Sequence, residues 1–386
     1  MENFELAVGS GSGPRAGKLK FPSGIVVETP LFMPVATKLS VKTLDLNELT
    51  GTGTSTIITN GFLSHLEPGS EVIRKMGGLH RFIGWQGGLF SDSGGFQFIR
   101  RGFDAKVSDK GVLLRSPFTG EPVFLTPEDV VEFHTTHGVD VGMVLDHCPP
   151  YGSNEADILD SAKRTLAWAS RSKERHLRSE EGHNSPYTDG RLPLIFAITQ
   201  GGTFQHIRRD NTRKLVELGF SGYGIGGLSI GEEKEDTFRS LKASTSLLPP
   251  AKPRYFMGVG EPVDLVRSVS CGVDVFDSVF PTRNARHRSL LIPEGKENIR
   301  AGRWKGVEDP IFEGCGCNTC ARYSRAYLYH LFKAREPLGP RLATVHNLYF
   351  MQTLVAGVRK LILEGEDLEK TAPEEIVLRV FHEIFG

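Results

Sequence analysis

Cysteine is scarce in this chain, with five among 386 residues. So few thiols cannot build the disulfide framework of a small secreted domain, and their scarcity fits a reducing compartment. Net charge is absent too. Lys and Arg number 46 against 46 Asp and Glu, so a polyanionic partner needs a local basic surface, not the field of the whole molecule. No apolar run is long enough for a membrane-spanning helix. The opening Met1-Glu2-Asn3-Phe4-Glu5-Leu6 lacks a basic segment followed by an apolar one, so no secretory signal is expected. Internal repeats and low-complexity tracts are missing. What remains, 39% hydrophobic and 24% charged residues, reads as a soluble protein of the cytoplasm. Its length allows one large domain with insertions or two ordinary ones.

The few cysteines are not scattered. Cys315, Cys317 and Cys320 are followed by His346. Three thiolates and one imidazole suit a tetrahedral Zn²⁺, and with all four positions taken by protein none is left for water. The spacing predicts one structural ion, with chance clustering of buried cysteines as the alternative. Cys315 and Cys317 are too close to pair comfortably as a disulfide. The chemistry then lies elsewhere.

Eight apolar, β-branched bursts recur along the chain: Pro30–Ala36, Ser55–Thr59, Gly88–Asp92, Asp140–Asp146, Leu192–Thr199, Gly222–Gly226, Arg254–Val259 and Val273–Val279. Several are continuous hydrophobic runs, as strands covered on both faces require. Helical patterns lie between them, including Pro127–His137, Asn154–Glu180, Ile207–Leu218 and Pro262–Ser270. This alternation predicts a (β/α)8 barrel, with a doubly wound open sheet as the alternative. The expected organisation is a single catalytic domain over residues 1–386. Two insertions interrupt it: a hairpin of Val112–Arg115 with Pro122–Leu125, and a segment from about Pro281 to Arg341 carrying the cysteines.

Polar residues close several of the strands. Asp92, Asp146 and Asp277 do so, and Gln200 follows Phe-Ala-Ile-Thr. In a barrel these ends share one mouth, where active sites are built. One such Asp is more simply a helix cap, but three with a Gln predict a site.

The motifs Asp92-Ser93-Gly94-Gly95-Phe96-Gln97, Gln200-Gly201-Gly202, Gly226-Gly227-Leu228 and Phe276-Asp277-Ser278-Val279-Phe280-Pro281-Thr282-Arg283 occur in this order. Together with the Cys-x-Cys-x2-Cys…His set they resemble the tRNA-guanine transglycosylases of the bacterial type. The resemblance covers roughly residues 20–370. It implies a zinc-containing (β/α)8 pentosyltransferase of queuosine biosynthesis. Such an enzyme exchanges guanine at the wobble position of tRNAs with GUN anticodons for a 7-deazaguanine base, either preQ1 or queuine. It further implies Asp277 as the nucleophile toward C1′ of the ribose and Asp92 as general acid and base. Exchanging a base without cutting the backbone needs such a carboxylate, to stabilise an oxocarbenium-like transition state and then hold the sugar.

Guanine presents donors at N1 and N2 and an acceptor at O6, so its pocket needs a carboxylate and an amide or backbone donor. Asp146 fits the first role, and Gln200 with Gly227 and Leu228 the second. The resemblance implies stacking of the base between Phe96 and Met257, although Met257 reads equally as barrel core. Ile230 narrows the room for a substituent on the base, which favours preQ1 over the bulkier queuine.

Arg283 and Arg286 open a basic stretch with Arg288, Lys296, Arg300, Arg303 and Lys305. The resemblance gives the first two the reading of bases beside the target, against a solvated charged loop as the alternative. Tyr323, Tyr327 and His330 share a helix face, either as part of a homodimer contact or packed inside the zinc region. A non-catalytic zinc-containing partner subunit is the alternative function, and the three Asp residues argue against it. The chain departs from the family pattern at Gly61 and Leu63, where Thr and His are usual, and at His147, where many members carry an acid.

Overall fold

Strands buried on both faces need an apolar side chain at nearly every position, and eight segments of this chain supply one. The computed structural model describes residues 3–9, 11, 13–95, 105–179, 185–187 and 190–385. It begins with three antiparallel strands, β1 (Phe4–Val8), β2 (Ala16–Lys20) and β3 (Val26–Thr29). Then come β4 (Leu31–Ala36), β5 (Thr56–Asn60) and β6 (Gly88–Asp92). A small antiparallel sheet follows, β7 (Lys106–Ser108), β8 (Gly111–Arg115) and β9 (Pro122–Leu125). After it run β10 (Val141–Met143), β11 (Leu194–Thr199), β12 (Gly222–Ile225), β13 (Arg254–Phe256) and β14 (Val275–Ser278). The hairpin of β15 (Ser289–Ile292) and β16 (Gly295–Asn298) is the last sheet.

β4, β5, β6 and β10 to β14 pair in parallel, and β10 on β6 with β14 on β4 closes the ring. An open doubly wound sheet is thereby excluded. All eight expected strands are present. The fourth is shorter than expected, so Asp146 stands beyond the end of β10.

Helices wrap the barrel, and their limits follow local rules. Pro127–His137 starts at a capping box between Thr126 and Asp129, with Pro127 in the first turn, and stops at Gly138 in the left-handed region. The ring is completed by Leu338–Leu363, which lies beside β4 and the helix Pro262–Ser270. Its Gln352 donates to the Phe32 carbonyl at 3.1 Å, and its Arg359 reaches the carbonyls of Gly17 and Thr29. Cys315, Cys317 and Cys320 lie between β14 and this helix.

Two apolar layers result. One lies between strands and helices. The other fills the barrel with Met33, Ile58, Phe90, Met143, Phe196, Ile198 and Tyr255 and continues into Phe4, Leu19, Phe21 and Val27 of the first sheet. That sheet therefore seals the N-terminal end of the barrel. Phe21 meets Phe90 edge-on at 6.0 Å, and Phe90 in turn meets Phe196 and Tyr255, each at 5.8 Å. Sequence patterning did not reveal β1–β3, which are short and flanked by Gly and Pro.

Candidate active site and metal centre

The open end of the barrel gathers Asp92, Asp146, Asp277 and Gln200. Asp92 ends β6, next to Asn60 at the end of β5, and Asn60 Nδ2 donates to Asp92 Oδ2 at 3.4 Å. The Leu63 N–H, 2.8 Å from Asn60 Oδ1, fixes which end of that amide faces Asp92. The loop after β6 turns across to Asp146, and a Cβ on Gly95 would lie only 2.6 Å from Asp146 Oδ1. No larger residue could pass there.

Crowding like charges at one place raises their proton affinity. Burial first, then Asp146, then Asp277, push the Asp92 carboxyl up to about 7, against the pull of the Gly94 and Ser93 N–H groups. Burial raises Asp146 to about 6, and the bond from Gln200 opposes it. Asp277 is raised by burial as well, while hydrogen bonds from Tyr255 and Gly258 hold it down. A carboxyl that titrates near neutrality can both give and take a proton.

Asp277 is held on one oxygen. The Tyr255 hydroxyl donates to Oδ1 at 2.6 Å and the Gly258 N–H donates to the same atom at 2.8 Å. Tyr255 belongs to the barrel interior, so its ring packs in the core while its hydroxyl reaches the mouth. Sequence reading missed this residue because Arg254-Tyr255-Phe256 looks like core. Its strand position, one turn of the pleat below Met257, was the available signal.

Gln200 is almost fully buried. Its N–H is fixed by Asn211 Oδ1 at 2.9 Å, its Nε2 donates to Asp146 Oδ2 at 2.7 Å, and its Oε1 has no protein partner among the described residues. That oxygen points at Gly227, whose φ is +67°. Beyond it, the Ser229 and Ile230 N–H groups both donate to the Glu232 carboxylate, which ties the loop down. Ile230 is half-buried, and the Leu228 side chain packs into the layer between strands and helices. Only the Leu228 backbone is thus left to face a ligand. Met257 is half-buried at the top of the barrel interior. Phe96 lies outside the described residues.

His147 is neutral at ordinary pH. Burial and the nearby Arg164 lower it to about 4. Its Nδ1 accepts from Arg164 at 3.1 Å, and Arg164 also binds Asp109 in the turn between β7 and β8. The imidazole beside Asp146 is therefore linked through Arg164 to the inserted sheet. Gly61 also has a physical reason: a Cβ there would lie 2.5 Å from the Phe133 ring and 2.6 Å from Ser91 Oγ. Leu63 packs beside Phe62, Phe133 and Trp168.

Arg283 is exposed and Arg286 half-buried on the helix Phe280–Arg286 that leaves β14. Arg286 donates to the Thr282 carbonyl at 2.9 Å, and burial followed by the charge of Arg283 lowers its pKa. Lys296 and Arg303 are paired with Glu261 and Glu297. Tyr323, Tyr327 and His330 stack in a row, with centroids 5.5 and 6.5 Å apart, and Tyr327 is exposed.

Away from the mouth, Cys315, Cys317, Cys320 and His346 bring their ligand atoms within 4.8 Å of one another, an arrangement that can hold one metal ion. His346 Nδ1 lies 3.7, 3.5 and 3.4 Å from the three sulfurs in chain order. Its Nε2 is 2.7 Å from the Leu291 carbonyl of β15. A carbonyl can only accept, so the proton sits on Nε2 and the Nδ1 lone pair faces the thiols.

Comparison with known proteins agrees with this geometry. The family model described as queuine tRNA-ribosyltransferase matches residues 10–372. A queuine tRNA-ribosyltransferase of Thiobacillus denitrificans is 43% identical over 350 residues, covering 91% of this chain and 92% of the relative. One from Shewanella halifaxensis is 43% identical over 362 residues, covering 94% and 93%. One from Methylobacillus flagellatus is 44% identical over 339 residues and covers 88% of each chain. With that match running through nearly all of its length, the chain belongs to the queuine tRNA-ribosyltransferase family.

Proposed function

We propose that this chain, a pentosyltransferase by its family, exchanges guanine at the wobble position of tRNAs with GUN anticodons for a 7-deazaguanine base in queuosine biosynthesis. The observation that carries this reading is the group of three carboxylates at the barrel mouth, none of which bonds a Lys or Arg among the described residues. In the first half-reaction an Asp277 oxygen bonds to C1′ as the bond from C1′ to guanine breaks, and Asp92 passes its proton to the departing base. In the second, the incoming base loses a proton to Asp92 and attacks C1′, releasing Asp277. The Tyr255 hydroxyl and the Gly258 N–H both engage Oδ1, which favours Oδ2 as the attacking atom. Asp146, Gln200 and the backbone of Gly227 and Leu228 are assigned to the base, with Phe96 and Met257 stacking on it.

The half-buried Ile230 supports a preference for preQ1 over queuine. Arg283 and Arg286, side by side just after β14, are suited to nucleotides flanking the target. The metal is Zn²⁺ in this reading. With Zn–S near 2.3 Å and Zn–N near 2.0–2.1 Å, a tetrahedral ion places nitrogen and sulfur about 3.5 Å apart. The observed 3.4–3.7 Å supports it. Such a closed ion would fix the segment carrying Cys315, Cys317 and Cys320 to the helix Leu338–Leu363 and take no part in the reaction. We further assign the chain to a single catalytic domain with residues 281–341 inserted, to the cytoplasm, and to a homodimer through the row of Tyr323, Tyr327 and His330.

The test is incorporation of radiolabelled guanine into unmodified tRNA with a GUN anticodon. Wild type incorporates label and Asp277→Ala does not. No incorporation by folded, zinc-loaded wild type would overturn base exchange and favour a non-catalytic partner subunit.

A further inference from the structure

The inserted sheet β7–β9 has two unlike faces. Its inner face, with Val112, Leu114 and Leu125, packs on Phe62, Phe133, Leu145 and Trp168. Its outer face aligns Lys106, Leu113 and Phe124 side by side across the three strands, and pairs Arg115 with Pro122. Leu113 is 40% exposed and Phe124 49%, and Phe118 at the tip is 39% exposed. Apolar side chains of this size are seldom left in water on a strand face without something to cover them. The tip also reaches the neighbouring rim of the barrel: Lys38, two residues beyond β4, lies over the Phe118 ring at 5.3 Å.

The unpaired charge on and around this face is mainly positive, with the exposed Glu121 at the tip as the one acid near it that also lacks a cation partner among the described residues. Among the described residues, Lys38, Lys106 and Arg115 have no carboxylate partner, and Arg115 donates only to the Gly120 carbonyl at 3.1 Å. Asp109, in the turn between β7 and β8, is paired with Arg164. Aromatic rings standing on a sheet between unpaired cations are the chemistry that holds unpaired nucleotides. Bases stack on the rings while the cations meet the phosphates, and no particular sequence is needed. The sheet is also tied to the site, because Arg164 connects its first turn to His147 beside Asp146.

We propose that the outer face of β7–β9, with Phe118, Phe124, Leu113, Lys38, Lys106 and Arg115, is a second RNA-binding surface that holds unpaired nucleotides of the substrate beside the one entering the barrel. This rests on the reading of the chain as a tRNA-modifying enzyme. It extends the RNA-facing rim beyond Arg283 and Arg286: β4, which leads to Lys38, adjoins β14, and β5 separates it from β6.

The experiment uses the full-length, metal-loaded protein and unmodified tRNA with a GUN anticodon. Phe124→Ala is expected to weaken tRNA binding about fivefold, as loss of one stacking partner does. The double variant Lys106→Glu with Arg115→Glu is expected to weaken it further and to lower the slope of log affinity against log salt by roughly one to two, which a merely structural change would not do. The KM for tRNA should rise in step. All three positions are exposed, so thermal midpoints should match wild type. Unchanged affinity and salt slope in both variants overturn the proposal while leaving base exchange intact. Wild type that binds tRNA but exchanges no base, with both variants impaired in binding, supports the surface and overturns the exchange reading instead. Association of wild-type chains in sedimentation that Phe124→Ala abolishes, with tRNA binding unchanged, assigns the face to a protein contact and also overturns the proposal.

Discussion

Strand β14 carries a carboxylate at each end, and the two live under opposite rules. Asp274, just before the strand at the sealed end, is fully buried and receives Arg15 through Nε at 2.7 Å and Nη2 at 2.9 Å, with the Arg254 N–H at 2.8 Å. Asp277, near the other end, is partly exposed and meets a hydroxyl and a backbone N–H but no cation. The first is matched charge for charge and holds the N-terminal segment to the barrel. The second meets no cation, and together with Asp146 it helps to raise the proton affinity of Asp92. A saturated carboxylate joins parts together; an unsaturated one is left available for a substrate.

Truncating each end should separate the two roles most widely. Asp277→Ala is expected to reduce guanine exchange at least about a thousandfold while the denaturation midpoint stays near wild type. Asp274→Ala leaves Arg15 buried without its partner and is expected to cost about 3–5 kcal/mol of stability, while the protein that remains folded still exchanges base. Urea titration and exchange assays on both variants decide it, and the reverse pattern would sink the contrast. At the metal centre, Cys317→Ser should drop the ion content from one per chain to about a tenth or less by atomic emission, with a marked fall in thermal midpoint.

Smaller changes sharpen the comparison. Tyr255→Phe removes a bond that holds down the pKa of Asp277. Its exchange rate should fall roughly tenfold, and the acid limb of the pH–rate profile should move to higher pH. Wild-type kinetics would show that Tyr255 only packs. Asp92 has its proton affinity raised in the folded state, so its contribution to stability is full below the unfolded value and is lost as pH rises from about 4 to about 7. Asp92→Asn should therefore stabilise the protein more at pH 8 than at pH 5, as read by melting at both. The smallest effect is expected for Ile230→Gly, which should improve use of queuine relative to preQ1 by roughly threefold to tenfold.

The barrel was legible in the sequence because strands covered on both faces must be written as unbroken apolar runs. Asp92, Asp277 and Gln200 were legible because they interrupt those runs at one end. Other features were hidden by the same logic. Tyr255 reads as one more core residue, since its ring is core and only its hydroxyl reaches Asp277. Arg15 and Asp274 pair across most of the chain, and no local pattern records that. The strands β1–β3 bury one face against the barrel end and expose the other, so they lack the continuous hydrophobicity that marked their neighbours. Gly61 departs from the family pattern because Phe133 and Ser91 occupy the space a side chain would need, which only the folded arrangement reveals.

Among the described residues, β1–β3 seal one end of the barrel and the carboxylates stand at the other. In the proposed reaction the outgoing base and its replacement would leave and enter by the open end in turn, with the ribose held on Asp277 in between. Double-reciprocal plots against tRNA and free base should then be parallel lines, and excess guanine should compete with the incoming base for the loaded enzyme.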